Sequence, residues 1–463
     1  MPEHAVLPTS RRQRRTRAFL AFAAALSIGS INCLPAAAAD VTVVNPGDLG
    51  PSGPWFRLQD DPGNAGIPNG TQEVAPFADA QWLDGSLHLG IGGGETSQAA
   101  HPFPAPVTLT SLLASGISYS AYQDSAGSTA GNTSANLQFP MICGGTFTTL
   151  SFEPGRNTDT AGRTGVVPDT WQAYAPDGTS SWRTSRAVAG FPAQGDATLA
   201  AFAAACTDPG DGALGVIARV GRLGSDTATL DTYVDGITVA GTTYNFAVEG
   251  RATAAVKVAD RVTAGGPPVN GSVTYTNPAD GPAYPDTGTA LTLKGPAGLR
   301  ADQVTLTVAG RRIPLTAGPG GTLVGALPKS TVLNPSGTST TAFTLAVADG
   351  APTGPLSVSA ELTAEANGGS RKPVGVENAA SLRIEALPSP SPSPSTTPPT
   401  PTPTKSESPA PTAPAPAPPA PSPTGPALAD TGAGAHKRWL GIGAVSLVAL
   451  GSAIFFLARR RAN

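Results

Sequence analysis

The feature that most constrains the fold is an alternation of apolar and polar residues, interrupted by residues that form turns. One such run is ATLDTYVDGITVAGTTYNFAVEG, at 228 to 250. Successive side chains of a strand point to opposite faces of a sheet, so this pattern predicts strands with one buried face. The 55 Gly and 48 Pro disfavour long helices and favour turns. The sequence therefore predicts an all-β protein.

Residues 40 to 255 are predicted to form a β-sandwich head, because similar runs recur throughout this part. In outline, their order resembles jelly-roll modules of lectin and carbohydrate-binding type. The resemblance implies a jelly-roll-like head that binds a glycan. One helical candidate interrupts the strands, GDATLAAFAAACTD at 195 to 208, for which Asp196 is the predicted N-cap.

Residues 256 to 386 are predicted to form a second, smaller sandwich. Runs such as QVTLTVAG (303 to 310) and AFTLAVAD (342 to 349) alternate regularly. Many short strands in about 130 residues are typical of an immunoglobulin-like sandwich. This part contains no Cys, Trp or His, which favours a spacer over a binding role.

The second sandwich also contains the residue types of an intramolecular isopeptide bond. In some cell-wall Ig-like domains a Lys and an Asn are joined beside a buried carboxylate. The matching residues here are Lys257, Glu361 and Asn378. Solvated surface side chains are the alternative interpretation.

The first 39 residues are predicted to be an export signal. Five Arg between positions 11 and 17 precede an apolar stretch, AFLAFAAALSIGSI, and PAAAAD supplies small residues for cleavage. Ala37 and Ala39 flank the predicted cut, which leaves Asp40 as the mature start. Twin-arginine export, lipidation of Cys33 and an uncleaved anchor are the alternatives.

The opposite end of the chain contains a predicted transmembrane helix. The stretch WLGIGAVSLVALGSAIFFLA, at 439 to 458, has no charged residue over 20 positions, enough to cross roughly 30 Å of hydrocarbon. Arg459, Arg460 and Arg461 follow it, and the positive-inside rule places them in the cytoplasm. Everything upstream is therefore expected outside the membrane.

A short motif, LADTG, stands before this span. Together with the span and the arginines, it resembles the cell-wall sorting signal of Gram-positive surface proteins, in the LAxTG variant used by class E sortases of actinobacteria. Its residues are Leu428, Ala429, Asp430, Thr431 and Gly432. The resemblance implies cleavage after the threonine and transfer of its carbonyl to an amine of the peptidoglycan precursor. The sorting signal at 428 to 463, with its transmembrane helix and basic tail, would then hold the chain at the membrane only transiently, whereas a permanent tail anchor is the alternative.

Residues 387 to 427 are predicted to be a disordered stalk. This Pro, Ser and Thr-rich segment cannot bury a core and favours polyproline II. At about 3.1 Å per residue, some 40 residues could span on the order of 120 Å. O-glycosylation is compatible with this role, and binding of SH3-like partners is the alternative.

Processing at both ends would leave an acidic chain. Residues 40 to 431 contain 19 basic and 31 acidic residues, a net charge of −12. This charge argues against nucleic-acid or anionic-lipid partners. With Cys33 in the export signal, Cys143 and Cys206 are predicted to form a disulfide outside the cell, and two free thiols are the alternative.

Three aromatic residues are the predicted glycan contacts of the head. Planar rings stack on sugar faces, and here the rings lie near Asp169, Gln172 and Asp177, whose side chains could bond hydroxyls. The predicted contacts are Trp171, Tyr174 and Trp182. Packing into the core is the alternative for each ring.

The sequence contains no recognisable catalytic or metal-binding motif. Two histidines, His88 and His101, would remain after processing at both ends. They belong to no HExxH or triad signature. Several carboxylates are candidates for a glycosidase pair or for a structural calcium ion: Asp60, Asp61, Glu153, Asp231 and Asp235. We expect a non-enzymatic surface protein, without a cofactor, that binds a glycan or another surface component. A carbohydrate-active hydrolase and a passive coat protein are the alternatives.

Overall fold

The computed structural model describes residues 40–59, 67–221, 227–328, 332–366 and 371–388. Several predictions lie outside these residues: the export signal with Ala37 and Ala39, the stalk beyond residue 388, the sorting motif from Leu428 to Gly432, and the transmembrane helix at 439 to 458. Asp40 is described, and it is the first residue of the first strand.

The described chain is built of strands, and the predicted all-β class is confirmed. The first fourteen strands are β1 Asp40–Val44, β2 Phe56–Arg57, β3 Thr71–Ala75, β4 Ser86–Ile91, β5 Thr96–Val107, β6 Ser118–Gln123, β7 Asn136–Cys143, β8 Thr146–Phe152, β9 Gln172–Tyr174, β10 Ser181–Thr184, β11 Asp196–Thr198, β12 Gly212–Gly221, β13 Leu230–Val239 and β14 Thr242–Phe246.

These strands form two packed sheets, called here the first and second sheets. The first sheet has the order β1-β14-β13-β4-β3, with β6 on the other edge of β13 and β9 beyond β6. The second sheet has the order β11-β10-β8-β7-β12-β5-β2. Alternate side chains of both sheets meet in one buried core, which includes Leu87, Leu89, Phe139, Val216 and Val234. The head is therefore a two-sheet sandwich.

Two short helices accompany this sandwich, α1 Leu109–Ser115 and α2 Leu199–Ala205. The predicted helical stretch contains α2, but its N-cap is Thr198 and not Asp196, because the Thr198 side chain accepts a hydrogen bond from the amide of Ala201. Asp196 belongs instead to β11, where it pairs with arginines. Within the described residues, no helix has the length and apolarity that a membrane span requires.

The predicted disulfide is confirmed. Cys143, the last residue of β7, is joined to Cys206, which directly follows α2. Their Cα atoms lie 4.8 Å apart, and 63 positions separate them in sequence. The bond therefore fixes the helix against the second sheet.

The remaining strands form a second sandwich. They are β15 Thr253–Val258, β16 Arg261–Thr263, β17 Val269–Thr276, β18 Asp286–Lys294, β19 Val304–Val308, β20 Arg311–Ile313, β21 Thr316–Ala317, β22 Leu323–Ala326, β23 Thr338–Val347, β24 Gly354–Glu365 and β25 Lys372–Glu385. One sheet has the order β15-β17-β23-β19-β20, and the other has the order β16-β25-β24-β18-β22-β21. The boundary predicted after residue 255 falls inside β15.

The core of the second sandwich continues into the head. Trp171 and Tyr122 of the head belong to this core. The backbone of Ala283 bridges to that of Phe77, and the Lys372 ammonium group donates to the carbonyl of Ala80 at 2.8 Å. The two sandwiches are thus joined by packing and by backbone contacts.

The residues considered for an isopeptide bond do not form the required arrangement. In the β24–β25 pair, Ala360 is opposite Asn378 and Glu361 is opposite Glu377, so Glu361 and Asn378 lie on opposite faces of the sheet. Lys257 is exposed. The carboxylate is therefore not placed to promote a bond between Lys257 and Asn378.

We predict that the double variant Cys143→Ala/Cys206→Ala unfolds more easily than the native protein. The closed loop spans 63 positions, and the lost constraint on the unfolded chain is worth roughly 4 kcal/mol. Urea unfolding without reductant would measure the change. Reduction of the native protein should give a similar loss, whereas equal stability of the oxidised protein and the double variant would contradict the prediction.

Candidate functional site

The structure places the three predicted glycan contacts in the core. Trp171 is 5% exposed, and Tyr174 and Trp182 are each 1% exposed. The Trp182 ring stacks on Phe139 with centroids 5.2 Å apart, and the Trp171 indole donates to the carbonyl of Ala78 at 3.1 Å. A sugar needs an open ring face, so these rings stabilise the fold and do not form a binding surface.

The candidate carboxylates that the structure describes do not form a glycosidase pair. Asp60 and Asp61 lie outside the described residues. Glu153 pairs with Arg156 at 2.8 Å. Asp231 and Asp235 are four positions apart in β13, about 13 Å along the strand, which exceeds the separation that retaining or inverting glycosidases use.

A row of polar and aromatic side chains crosses the outer face of the first sheet instead. The strand register places Glu73 of β3 opposite His88 of β4, His88 opposite Tyr233 of β13, and Tyr233 opposite Tyr122 of β6. Directly opposed residues of antiparallel strands have side chains on the same face. We call these four residues, together with Asp231, the His88 row.

The ionic part of the His88 row has His88 between two carboxylates. Nε2 of the imidazole contacts Oδ1 of Asp231, and Nδ1 lies 3.5 Å from Oε1 of Glu73. The His88 side chain is 17% exposed, against 28% for Asp231 and 57% for Glu73. The cluster is therefore set into the surface, and its glutamate faces solvent.

Gly90 leaves space for this contact. It lies opposite both Thr71 and Asp231 in the register. A Cβ atom at this position would lie 3.3 Å from Nε2 of His88 and 3.6 Å from Oδ1 of Asp231. Because Gly90 has no side chain, the imidazole of His88 can extend past it to Asp231 on the neighbouring strand β13.

The aromatic residues of the His88 row form a column of rings together with Phe77, which lies outside the row. Tyr233 stacks on His88 with centroids 4.7 Å apart and on Phe77 with centroids 4.0 Å apart, and both pairs are within 16° of parallel. Phe77 then contacts Tyr122 at 4.8 Å. The column connects the ionic cluster to the junction with the second sandwich, where Phe77 bridges to Ala283.

The surroundings of His88 favour the imidazolium. Burial opposes the charge, but the hydrogen bond to Asp231 and its negative charge outweigh burial, and Glu73 adds to them. The pKa of His88 is therefore raised above its ordinary value. Each ring nitrogen then has a carboxylate partner, Asp231 at Nε2 and Glu73 at Nδ1.

His101, on β5, shows the opposite behaviour. Burial lowers its pKa, so the neutral ring is favoured. Nδ1 lies 2.6 Å from the carbonyl of Pro54 and must donate, which leaves Nε2 to accept from the Tyr244 hydroxyl at 2.8 Å. Trp55 packs on the same ring with centroids 5.7 Å apart. His101 therefore has a structural role between the sheets.

The His88 row is a shallow surface and not a pocket. Concavities among the described residues include one of about 380 Å³ beside Ile313 and Leu315, and one of about 160 Å³ at the end of the ring column, between Phe77 and Val332. The second is smaller than the 300 Å³ or more typical of small-molecule sites. Among the described residues, no group of three or more His, Cys, Asp or Glu side chains is arranged to hold a metal ion.

Sequence reasoning missed the His88 row because its members are far apart in the chain. His88 and Asp231 are separated by 143 positions, and only the strand register brings them together. One local signal was present: in SLHLGI the histidine alternates with apolar residues, so it had to face away from the core. That signal identifies the face but not the partners.

Comparisons with known proteins identify no family. No family model matches the chain, and no curated protein matches its sequence. Among solved structures, AvmM, titled as catalysing macrocyclization in alchivemycin A biosynthesis, is 22% identical over 31% of this chain and 94% of its own, with a TM-score of 0.25. The N-terminal domain of the Streptococcus gordonii adhesin Sgo0707 is 8% identical over 65% of this chain and 61% of its own, with a TM-score of 0.19.

A third similar structure is the full-length major pilin SpaD from Corynebacterium diphtheriae. It is 11% identical over 58% of each chain, again with a TM-score of 0.19. Likenesses this distant carry no argument about what the present chain binds or does.

We predict opposite pH dependence for variants of the two histidines. The raised pKa of His88 means that its stabilising effect is complete below the ordinary value of 6.5 and is lost as pH rises through the folded-state value. The lowered pKa of His101 means that its effect is present above 6.5 and is lost as pH falls. His88→Gln should therefore cost more stability at about pH 5.5 than at about pH 9, by on the order of 1 kcal/mol.

His101→Gln is the matched comparison and should show the reverse order. Urea unfolding of both variants and the native protein at the two pH values would measure the differences. Parallel pH profiles for the two variants would contradict the assignment of a charged His88 and a neutral His101.

Proposed function

We propose that the chain is exported, is linked covalently to peptidoglycan by a class E type sortase through Thr431, and displays the described sandwiches outside the cell. The observation that carries this proposal is the order of LADTG, a 20-residue apolar stretch and three arginines near the end of the sequence, combined with a basic and apolar export signal at the start. A chance pentapeptide is common, but that combination is not.

Two features of the described residues support export. The Cys143–Cys206 disulfide is of a kind that persists in oxidising surroundings and is rare in the cytosol. Cleavage after Ala39 would leave the pairing of Asp40–Val44 with β14 intact. Processing at the proposed position is therefore compatible with the folded head.

The head carries the excess negative charge of the chain. Residues 40 to 255 contain 20 acidic and 8 basic residues, whereas residues 256 to 386 contain 9 acidic and 10 basic residues. We propose that the head is the binding part and the second sandwich a spacer. A ligand suited to this head is rich in hydroxyl groups or positive charge, such as a glycan or a basic surface component, because carboxylates accept hydrogen bonds from both.

We propose the His88 row as the contact surface for that ligand. It presents the open carboxylate of Glu73 and the partly open one of Asp231 beside the half-buried rings of His88 and Tyr233, on one face of the sheet. A flat surface of this kind suits a polymer or another protein better than a small substrate. Because His88 has both nitrogens engaged and the glycosidase carboxylates are dispersed, we propose binding without catalysis.

We predict that Thr431→Ala prevents covalent attachment. The threonine carbonyl is the group that a sortase would transfer, so the variant should move from the fraction released only by wall-digesting enzymes to the detergent-soluble membrane fraction. Cell fractionation with immunoblotting would measure the distribution in a host that contains a class E sortase.

Thr424→Ala is a matched control, because Thr424 also precedes a glycine but lacks the LAD residues. It should remain attached to the wall. If Thr431→Ala also stays in the wall-bound fraction, the sorting proposal is wrong.

We predict that the head binds a glycan or a basic surface component and that this binding needs the open carboxylates of the His88 row. A screen of the purified chain on arrays of glycans and envelope fractions would identify a ligand. The double variant Glu73→Gln/Asp231→Asn should then lower affinity at least about tenfold, or about 1.4 kcal/mol.

Glu377→Gln is the control, because Glu377 is an exposed carboxylate on a strand of the spacer. It should bind as the native chain does. Absence of any ligand would favour a passive coat protein, and turnover of a polysaccharide that depends on Glu73 or Asp231 would favour the hydrolase alternative.

A further inference from the structure

A seam in the first sheet brings together polar side chains that the His88 row does not use. The strands β4 and β14 share one edge of β13: pairing with β4 ends at Val234, and pairing with β14 begins at Ile237. Asp235 and Gly236 lie between, and Gly236 has a left-handed φ of +62°. Backbone groups at such a seam lack regular ladder partners, so side chains must replace them.

The side chains at the seam supply some of these bonds. Oδ1 of Asp235 accepts from the amide of Phe246 at 2.7 Å, and the Asn245 amide donates to Oδ2 of Asp84 at 3.2 Å. The nearby Asp79 uses Oδ1 for the amide of Trp82 and Oδ2 for that of Asp84. Asp79 is therefore satisfied by backbone donors.

Three oxygens at the seam remain without a hydrogen-bond donor among the described residues. They are Oδ2 of Asp235, Oδ1 of Asp84 and Oδ1 of Asn245. Asp235 is 1% exposed and Asn245 is 2% exposed, so open solvent does not satisfy them. Each is an acceptor, and so they cannot bond to one another while the carboxyl groups are ionised.

Neighbouring cations compensate for this charge only in part. Arg251 lies 3.6 Å from Oδ2 of Asp84, the oxygen that Asn245 already contacts, and its side chain is 49% exposed. Three buried or half-buried carboxylates, those of Asp79, Asp84 and Asp235, thus share one arginine. Buried charges without a compensating partner destabilise the folded state.

We propose that Asp84, Asp235 and Asn245 bind a Ca²⁺ ion at this seam. Carboxylate and amide oxygens are hard ligands of the type that Ca²⁺ takes, and its flexible coordination accepts water and backbone carbonyls for the remaining positions. Two carboxylates balance the double charge of the ion. The set contains only two acidic ligands, which is consistent with the lack of any described group of three His, Cys, Asp or Glu suited to a metal.

The competing explanation is a proton. Burial raises the pKa of Asp235, and burial followed by the charge of Asp79 raises the pKa of Asp84 to about 6. A protonated Asp235 would turn one of the three acceptors into a donor. The two explanations differ in one property, since only the first makes the stability of the head depend on calcium.

The first test is thermal unfolding of the purified full chain in detergent after treatment with EGTA. Titration with CaCl₂ to about 100 times the dissociation constant should raise Tm by on the order of 5 °C, and MgCl₂ should have a smaller effect. Asp235→Asn should weaken the calcium response at least about tenfold. Glu249→Gln, which removes an exposed carboxylate close to the seam, should respond as the native chain does.

The second test uses the native chain and does not depend on whether a variant folds. Trp82 lies beside the seam, since a Cβ atom on Gly236 would be 3.5 Å from its ring. Tb³⁺ bound in place of Ca²⁺ should therefore show luminescence sensitised by tryptophan, which Ca²⁺ should displace and which Trp82→Phe should reduce. Native mass spectrometry should show one bound calcium.

The proposal is overturned if CaCl₂ leaves Tm unchanged and no calcium is retained in the native mass spectrum. It is also overturned if Asp235→Asn and Glu249→Gln lose the calcium response equally, because that result would indicate general screening of negative charge. A Tm that depends on pH but not on calcium would assign the seam to a proton on Asp235.

Discussion

The pairing of β13 is the constraint on which the head depends. One edge of this strand pairs with β6 along most of its length, while the other edge pairs first with β4 and then with β14. The His88 row needs the β4 half, since Tyr233 and Asp231 meet His88 only in that register. The seam needs the change of partner, which leaves Asp235 unpaired on that edge, while it pairs with Ser120 of β6 on the other. A slip of one residue in β13 would turn these side chains into the core and abolish both features.

The sheets were predictable because their signal is local. Alternation is read within one run, and Gly and Pro mark where runs end, so the all-β class follows without knowledge of which strands pair. The disulfide was predictable by elimination, since Cys33 lies in the predicted export signal. The predicted N-cap of α2, Asp196, lies two positions before the observed one, Thr198. Both residue types are good caps, and only the end of β11 selects Thr198.

The candidate site was not predictable in the same way. Trp171, Tyr174 and Trp182 are close in sequence and resemble a sugar-binding group, but large rings gain more by filling the space between two sheets than by facing water. The His88 row depends on pairs such as Tyr233 with His88, whose register is set by the whole sheet. Composition also cannot show that the two histidines have opposite pKa shifts. His88 lies beside the carboxylates of Asp231 and Glu73, whereas the buried ring of His101 lies beside a carbonyl and a hydroxyl.

The net negative charge of the head interacts with other molecules only at short range. At physiological ionic strength the Debye length is about 8 Å, so solvent ions screen the charge of the head beyond that distance. The charge acts on groups that come into contact with the head, where Glu73 and Asp231 are open. The nearly neutral second sandwich then confines this electrostatic preference to the head of the protein.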